Sequence, residues 1–512
     1  MASSLIRGKY VIARATSRTD VSVIEDGAVF QRDGTIVEIG RHQDLAPKYA
    51  PDTIVGSAGH VVMPGFVNSH HHVGVTPFQL GSPDYPLELW FASRMATRNV
   101  DPYLDTLYSA FEMLECGITT VQHLHGLRIA PIARVQAVAE QVLKAYEDIG
   151  MRVSYSYALR DQSRLVYEPD EAFLKRLPPA LASELGEWLK TQTIPIADNL
   201  GLFVDLWQRW NTRDRVRIQL APANLHWCSD EALRGLQDHA AKYGVGMHMH
   251  LLETAYQKEY ADRRSGTTAV RHIQNMGMLG PHMTLGHGVW LNEDDIQRVL
   301  DTGTMICHNA SSNLRLRSGV APLNHWMAAG VIVALGLDEA GINDDRDMLQ
   351  EMRLVLRLHR VPGMDDVVPT SAQVFRMATE NGARTTGFAD SIGVLEPGKA
   401  ADVVLMRWQD IGYPYLEHDV SVIDAVVHRA KSFAVDTVLV AGEPVLRDGR
   451  ITRVNKADVL KALSDSFKVP LSPEEERRRR LARDVFPHVK LFYDGWLDEA
   501  ARDPFYRPSS RR

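Results

Sequence analysis

The stretch PGFVNSHHHVG, residues 64–74, places three consecutive histidines at the end of an apolar run. Alternate side chains of a β-strand project to the same face, so His70 and His72 point together if residues 66–73 form a strand. In a parallel barrel, catalytic side chains collect at the carboxyl ends of the strands. Taken alone, the same histidines also fit a polar loop or a purely structural role. The rest of the chain has to decide between these interpretations.

Strand-like runs separated by helical segments follow this stretch along the chain. The runs are GITTVQHLH (117–125), MRVSYSYAL (151–159), RVRIQLAPA (215–223), GVGMHMHLL (244–252), MTLGHGVWL (283–291), TMICHN (304–309) and VIVALGLD (331–338). Strands that alternate with helices predict a parallel sheet. About eight such units predict an α/β protein with a closed (β/α)8 TIM-like barrel, which we place at residues 63–395.

The two ends of the chain have a different pattern, with short β-like runs broken by turn residues. Asp26-Gly27 and Asp33-Gly34 each lie between apolar runs, which predicts hairpins in a small antiparallel sheet. We expect residues 1–62 and 396–454 to pair into one composite β-sandwich domain around the barrel. Residues 455–512 are predicted to form a charged helical tail. The long connection 161–215 is predicted to contain helices around 181–190 and 198–210.

Composition excludes several classes of function. The chain has 512 residues, with 57 Lys and Arg against 64 Asp and Glu, so it lacks the basic excess of a nucleic-acid binder. Its three cysteines, Cys116, Cys228 and Cys307, are far apart, which argues against disulfides and thiolate metal sites. No apolar run reaches the roughly 20 residues of a membrane span. These features predict a cytoplasmic protein that acts on a small molecule, with no nucleic-acid or membrane partner.

Three further strand ends carry residues suited to metal chemistry. MHMHLLE (247–253) has His250 followed three positions later by Glu253, where a carboxylate can move protons beside a metal ion. His287 ends the next run, and Asp338 closes an apolar run in which an unpaired carboxylate would be costly to bury. Taken alone, residues 247–253 also fit a strand whose polar end meets solvent, and His287 also fits a surface or core imidazole. Together, in chain order, they favour a metal-dependent active site.

Six motifs in order resemble the successive signatures of the amidohydrolase superfamily. They are PGFVNSHHH, HMHLLE, LGHGVWL, CHNASSNLRL, ALGLDEAGIND and GVLEPGKAADVVLM, and together they span about residues 1–450. The chain most resembles the branch with triazine chlorohydrolases, cytosine and guanine deaminases and methylthioadenosine deaminases. The resemblance implies a barrel with a composite β-sandwich, a metal ion at the barrel mouth, and a homo-oligomer.

Carried over residue by residue, the resemblance assigns His70, His72, His250 and Asp338 as metal ligands. It assigns catalytic roles to three residues: Asp338 takes a proton from water, His287 polarises the group under attack, and Glu253 protonates the leaving nitrogen. The bridging Lys or Glu of two-metal relatives is missing from RIQLAPANLHW (217–227). We therefore expect one divalent ion, Zn²⁺ in the first place, with Fe²⁺ or another first-row metal as the alternative.

The substrate is predicted from the places where the chain departs from its relatives. PANLHWCS (222–229) replaces the PHAPYTCS of nucleoside deaminases, so that Ala223 takes the place of a histidine and His226 and Trp227 are new. His226, Trp227, His123, His125 and Asn309 are candidate substrate-binding residues. Glu339 adds a carboxylate directly after Asp338, where many relatives have glycine.

Three functions remain open at this point, and a fourth, dechlorination, is weighed against them. The first is hydrolysis of an amide, urea or carbamate bond in a small aromatic or heterocyclic molecule, which the departures after residue 222 favour. The second is deamination of an N-heterocycle, which needs the same proton from Glu253. Dechlorination is less favoured than either, because a leaving chloride needs no proton. The third, from another class, is a catalytically silent assembly protein, although such proteins have typically lost metal ligands that this chain keeps.

Overall fold

A computed structural model describes residues 3–126, 130–364 and 367–498. Its strands are β1 (Ser3–Ala15), β2 (Val21–Arg32), β3 (Thr35–Arg41), β4 (Thr53–Pro64), β5 (Phe66–His71), β6 (Ile118–His125), β7 (Arg152–Leu159), β8 (Val216–Ile218), β9 (Ala221–Pro222), β10 (Met247–Leu251), β11 (Met283–His287), β12 (Met305–His308), β13 (Val333–Leu335), β14 (Val403–Arg407), β15 (Val435–Val440), β16 (Glu443–Arg447) and β17 (Arg450–Ile451).

The α-helices are α1 (His42–Leu45), α2 (Leu87–Arg94), α3 (Pro102–Glu115), α4 (Ile132–Ile149), α5 (Asp170–Leu174), α6 (Pro179–Lys190), α7 (Ile196–Trp210), α8 (Asp230–Tyr243), α9 (Ala255–Ser265), α10 (Ala269–Asn275), α11 (Glu293–Thr302), α12 (Ala310–Arg315), α13 (Leu323–Ala329), α14 (Met348–Leu358), α15 (Ser371–Met377), α16 (Glu380–Arg384), α17 (Trp408–Gly412), α18 (Val422–Arg429), α19 (Lys456–Ser466) and α20 (Pro473–Phe492). A short 3₁₀ helix covers Ser432–Ala434.

The middle of the chain forms two parallel sheets with helices between their strands. One sheet has the order β5-β6-β7-β8, with β9 also paired to β7, and the other has the order β10-β11-β12-β13. Isolated parallel bridges connect the sheets at both edges: His71 with Asp338 on one side, and Leu220 with Met247 and Asn224 with His250 on the other. The predicted alternation of strands and helices is confirmed, and the carboxyl ends of the strands face one common region.

Both ends of the chain contribute to one eight-stranded sheet, β17-β16-β15-β14-β4-β1-β2-β3. β4 pairs with β14, which joins the two segments, and β1 runs parallel to β4 although the turn pattern predicted antiparallel pairs. The hairpin at Asp33-Gly34 is confirmed, since both residues have positive φ between β2 and β3. The hairpin predicted at Asp26-Gly27 is wrong. Those residues lie inside β2, where pairing with β1 continues on both sides and outweighs the local turn signal.

The terminal sheet is tied to the parallel sheets by a buried ion pair. Arg152, at the start of β7, donates from Nε and Nη2 to the two carboxylate oxygens of Asp402, each at 2.9 Å. Both side chains are almost fully buried. In this bidentate salt bridge each charge is neutralised and hydrogen-bonded by the other. Without its partner, either group would be a buried unpaired charge.

We predict that Asp402→Asn lowers the free energy of unfolding by about 3–5 kcal/mol, because it leaves the Arg152 guanidinium buried without a counter-charge. Urea unfolding followed by circular dichroism measures this change. Asp26→Asn is the matched control, because Asp26 pairs with Arg7 at the surface and its loss should cost at most about 1 kcal/mol. Equal effects of the two substitutions would contradict a stabilising role for the buried pair.

The long connection and the C-terminal segment pack together. The helices predicted around 181–190 and 198–210 are confirmed as α6 and α7. α7 buries its apolar face against α4, α8 and β8, on the outside of the parallel sheets. α5, α6 and α20 share a second hydrophobic cluster with α2, built from Ala92, Met95, Leu165, Val166, Tyr167, Phe173, Leu177, Leu185, Leu189, Leu481, Ala482, Val485, Val489 and Tyr493.

The predicted helical tail is observed as α19 and α20, while residues 499–512 lie outside the described part of the chain. α20 begins at a capping box in which Ser472 and Glu475 bond reciprocally, with Pro473 in the first turn. Within the described residues, no helix is both long enough and apolar enough to cross a membrane.

Candidate metal centre and active site

The four predicted metal ligands meet where the parallel strands end. The Nε2 atom of His70 lies 3.0 Å from Nε2 of His72 and 3.1 Å from Nε2 of His250, and the last two atoms are 3.1 Å apart. Asp338 places Oδ1 3.1 Å from Nε2 of His72 and 3.7 Å from Nε2 of His70. Residues more than 260 positions apart in sequence therefore present four donor atoms to one point.

His72 and His250 each make a hydrogen bond through Nδ1, and these bonds leave Nε2 turned towards the other predicted ligands. Nδ1 of His72 lies 2.6 Å from the Leu124 carbonyl, and Nδ1 of His250 lies 2.6 Å from the Ala223 carbonyl. A carbonyl only accepts, so both Nδ1 atoms carry hydrogen and, in the neutral rings, both Nε2 atoms present lone pairs. Two lone pairs 3.1 Å apart repel each other unless a cation lies between them.

The spacing of the donors fits a divalent ion. A tetrahedral zinc site with ligands at about 2.0–2.1 Å has ligand-to-ligand distances of about 3.3 Å. The nitrogen separations of 3.0–3.1 Å are close to that value. Imidazole and carboxylate donors suit zinc and other first-row metals. The residues present therefore fit one such ion.

Burial sets the protonation of this cluster. It lowers the pKa of His70 and of His250 well below the usual range, which keeps both rings neutral as metal binding requires. For His72 and Asp338, burial opposes the charged forms, but their mutual hydrogen bond and attraction outweigh it. The pKa of Asp338 is lowered as a result, and that of His72 is raised. If a metal ion takes the place of the His72 proton, the three imidazoles are neutral and Asp338 is the one anion among the four predicted ligands.

Close packing holds His70 in place. Its Nδ1 lies 2.9 Å from Nε2 of His248, which comes from the same strand as His250. Gly336 approaches it so closely that an added Cβ would lie 2.5 Å from Cβ of His70 and 2.4 Å from Oδ1 of Asn309. A side chain at position 336 would push His70 and Asn309 out of place, so glycine is required there.

Three strand ends near the cluster have strained backbones. Leu252, His287 and Asp338 have φ values of 51°, 73° and 55°, in the left-handed region that non-glycine residues avoid. Each such conformation costs about 1–2 kcal/mol. Ser312 donates to Oδ2 of Asp338 at 2.5 Å and helps hold that turn. Strain of this kind concentrates where side chains are aimed for function.

His287 and Glu253 complete the site above Asp338. Nε2 of His287 lies 3.7 Å from Oε2 of Glu253 and 3.8 Å from Oδ2 of Asp338. These separations are longer than hydrogen bonds, so the three side chains surround a shared space. Burial, and after it the charges of Asp338 and Glu88, raises the pKa of Glu253 well above its usual range. The raised pKa favours the protonated form of Glu253, from which it can donate a proton.

The hydrogen-bond partner of His287 decides which ring nitrogen carries its hydrogen. Nδ1 lies 2.9 Å from Oδ1 of Asn313, an amide oxygen that only accepts, so Nδ1 carries the hydrogen in the neutral ring. Nε2 faces the carboxyl groups of Glu253 and Asp338. In its protonated form the ring can donate a hydrogen bond from Nε2 to a group under attack.

A second buried carboxyl lies behind Glu253. Glu88, on α2, accepts hydrogen bonds at Oε1 from Tyr167 (2.9 Å) and from Thr254 (2.5 Å). Burial raises its pKa. Sequence reasoning missed Glu88 and Tyr167, because nothing local connects α2 or the long connection to the strand ends. Ser312 and Asn313 were also missed, although they lie in the quoted motif CHNASSNLRL.

The five predicted substrate-binding residues are placed in three settings. His123 lies 2.9 Å from the Tyr146 hydroxyl of α4 and 3.4 Å from His125, so this pair borders the layer of helices. Asn309 contacts His287. The His226 ring lies between Tyr167, at 4.1 Å between centroids, and Trp227, at 4.4 Å.

Trp227 belongs to an apolar wall close to the cluster. It packs with Leu124, Ala158, Ala221, Ala223 and Phe91. Leu124 and Ala223 are the residues whose carbonyls orient His72 and His250. The guanidinium of Arg160 lies over the Trp227 ring, 3.6 Å from its centroid. This wall offers an aromatic surface near the donor atoms.

Comparison with known proteins assigns the family. The model of the amidohydrolase family matches residues 61–445. The chain belongs to the amidohydrolase family. It is therefore a hydrolase that acts on carbon–nitrogen bonds other than peptide bonds, as the resemblance implied.

Curated relatives match this amidohydrolase along most of its length. A 5'-deoxyadenosine deaminase of Methanosarcina mazei is 29% identical over 90% of this chain and 96% of its own. A 5-methylthioadenosine/S-adenosylhomocysteine deaminase of Desulforudis audaxviator is 31% identical over 89% of this chain and 96% of its own.

Solved structures share the fold at lower identity. An adenosine deaminase from Xanthomonas campestris with bound zinc has a TM-score of 0.78 at 22% identity, covering 94% of this chain and 99% of that one. An atrazine chlorohydrolase from Arthrobacter aurescens complexed with zinc has a TM-score of 0.76 at 21% identity, covering 90% and 99%.

Proposed function

We propose that this amidohydrolase is a metal-dependent aminohydrolase that replaces an exocyclic amino group of a small N-heterocycle with oxygen and releases ammonia. The observation that carries the hydrolysis of a carbon–nitrogen bond is Glu253, a buried acid whose Oε2 lies 3.7 Å from Nε2 of His287 and whose pKa is raised by burial. A departing nitrogen needs such a proton donor. The deaminase relatives along 90% of the chain support this choice.

The metal centre of the proposal consists of one ion held by His70, His72, His250 and Asp338. Zn²⁺ is the first choice for these donors, with Fe²⁺ or another first-row metal as the alternative. When bound, such an ion makes hydroxide available at neutral pH. A single ion is supported by residues 217–227, which contain neither Lys nor Glu to bridge a second one.

Three side chains divide the proton transfers. Asp338, held ionised by its neighbours, accepts a proton from the attacking water. His287, in its protonated form, donates from Nε2 to the ring atom that gains negative charge. Glu253 delivers its proton to the departing nitrogen, and the proton that Asp338 took from the water returns to Glu253, so that both carboxyl groups are reset. Trp227 and Phe91 supply the apolar wall for a flat ring.

The architecture that holds this site is proposed to be a closed barrel. The parallel bridges at both sheet edges support a closed (β/α)8 arrangement over residues 63–395. The shared terminal sheet supports a composite β domain from residues 1–62 and 396–454, followed by the helical segment 455–512. The three free buried cysteines fit the proposed cytoplasmic location. We also propose that the chain forms a homo-oligomer.

Hydrolysis of an amide, urea or carbamate bond is the second candidate. It is favoured by Ala223, whose small side chain lies in the apolar wall beside Trp227. Nucleoside deaminases of this branch have a histidine at this place. The amine leaving group of such a bond would also need the proton of Glu253.

A product assay on metal-loaded protein separates these functions. The panel comprises 5'-deoxyadenosine, 5'-methylthioadenosine, cytosine, guanine and aminotriazines, together with anilides, aryl ureas and carbamates. Ammonia from an aminated heterocycle, without release of another amine, is the expected result. Amine release from the second group would support the second candidate. Turnover of no compound would overturn both and favour the assembly-protein alternative.

We predict an alkaline limb in the pH profile that belongs to Glu253. Its pKa is raised, so the acid form persists above the usual range of a carboxyl group and is lost as pH rises through the raised value. Because the acid form is needed, kcat should be level below that pKa and fall above it. Steady-state kinetics between pH 6 and about 10 measure this. An identical limb in the residual activity of Glu253→Gln would assign it to another group.

A further inference from the structure

Glu339, the residue after Asp338, has a carboxylate that is only half satisfied. The residue is 8% exposed, and Oε1 accepts a hydrogen bond from Nη1 of Arg94 at 2.5 Å. Oε2 is buried and has no hydrogen-bond partner among the residues that the structure describes. Burying a charged oxygen without a donor is costly, so a partner from outside the protein would recover free energy.

This carboxylate lies beside the metal cluster. The left-handed φ of Asp338 turns the chain sharply between the two acids, and Nη2 of the buried Arg346 bonds the Glu339 carbonyl at 3.0 Å. The charge of Glu339 also acts on the His72 ring. Glu339 therefore directly follows a predicted metal ligand in the chain, at the edge of the same site.

Arg94 is held rigidly at the end of α2. Its guanidinium lies over the Trp90 ring, 4.6 Å from the centroid, and its side chain is 30% exposed. From α20, Arg478 and Arg479 bond the carbonyls of Met95 and Ala96 at 2.8 and 2.9 Å. The C-terminal helix thus fixes the chain directly after Arg94, and part of the Arg94 side chain remains accessible.

We propose that Glu339 and Arg94 form a substrate-binding pair that determines specificity. Oε2 of Glu339 accepts from an N–H or O–H group of the substrate, while Arg94 donates to a neighbouring acceptor. The pair favours substrates with a hydrogen-bond donor next to an acceptor, as on the edge of an aminated heterocycle. It disfavours substrates that would place a carboxylate against that of Glu339. The inference rests on the proposed function for the reaction and for the choice of probes.

The test compares Glu339→Gln with wild type on the panel compound that has the highest kcat/KM. Loss of one hydrogen bond to a charged group should raise KM about 10- to 100-fold. We expect kcat to stay within about threefold and metal content to stay unchanged, because Glu339 does not touch the reacting atoms. Calorimetric binding of the reaction product should weaken by the same factor. Glu293→Gln is the control, since Glu293 is 88% exposed.

Two readouts separate recognition from a merely structural role. If Glu339 binds a donor of the substrate, removal of that donor should abolish the effect of Glu339→Gln. Among analogues of the best compound that each lack one N–H or O–H donor, one should therefore give equal KM values for wild type and Glu339→Gln. Arg94→Lys, which keeps the charge but loses the fork, should retain part of the affinity. Unchanged KM and binding in Glu339→Gln, or loss of metal from it, would overturn the proposal.

The outcomes also separate this inference from the proposed function. Turnover by wild type with no effect of Glu339→Gln would overturn the binding pair alone. Binding of a panel compound without turnover, weakened by Glu339→Gln, would support the pair and contradict the proposed function. Binding of no panel compound by wild type would overturn both.

Discussion

His250→Ala will fail to retain a stoichiometric metal ion and will lose about 10³- to 10⁵-fold in kcat/KM. Its Nε2 lies 3.1 Å from those of both His70 and His72, so its removal leaves an incomplete donor set. The charge stabilisation that a bound ion supplies is worth several kcal/mol, which corresponds to this range of rates. Metal analysis by mass spectrometry and initial rates measure the two effects together.

His325→Ala is the matched control for this substitution. Its side chain is 64% exposed and faces Glu293 at the surface, so it should keep metal and rate. Full metal content and activity in His250→Ala would show that the predicted histidine ligands are not needed for catalysis. Loss of both properties in His325→Ala would indicate a general effect of histidine loss on folding.

Glu253→Gln will lower kcat by about 10²- to 10⁴-fold while metal content and KM stay near wild type. Glutamine keeps the shape of the side chain and its contact with Ser318, but it cannot deliver an acidic proton. The effect should depend on the leaving group. A chlorinated analogue of the same heterocycle, if hydrolysed, should lose far less rate, because chloride leaves without a proton.

Glu259→Gln provides the control for Glu253→Gln, because Glu259 pairs with Arg263 on an exposed helix surface and should leave kcat unchanged. A loss of kcat in Glu253→Gln that is equal for amino and chloro substrates would contradict the assignment of Glu253 as proton donor. Such a result would point instead to a role in holding His287 or Asp338.

The metal cluster was predictable because its members obey local rules. His70 lies on β5 and His72 follows directly after its end, and His250 and Asp338 also close apolar runs. Strand ends of a parallel arrangement meet in space, so residues far apart in sequence converge without any further information. The turn at Asp33-Gly34 was predictable because this dipeptide favours a tight turn and no strand pairing among the described residues opposes it there. At Asp26-Gly27, pairing with β1 outweighed an identical local signal.

The residues that surround the cluster were less predictable. Glu88 and Arg94 lie on α2, and their positions depend on how α20 and the long connection pack against that helix. Nothing in the sequence near residue 88 indicates a contact with Thr254 or Tyr167. Glu339 was conspicuous as an extra acid after Asp338, but only the structure shows its bond to Arg94 and its unpartnered oxygen.

The most direct test is a metal titration of chelator-treated protein with Zn²⁺, followed by ammonia release from the best aminated heterocycle. We predict that metal-free protein is inactive and that activity rises linearly to a plateau at one ion per chain. Activity that persists without metal, or a plateau only at two ions per chain, would contradict a single catalytic ion held by His70, His72, His250 and Asp338.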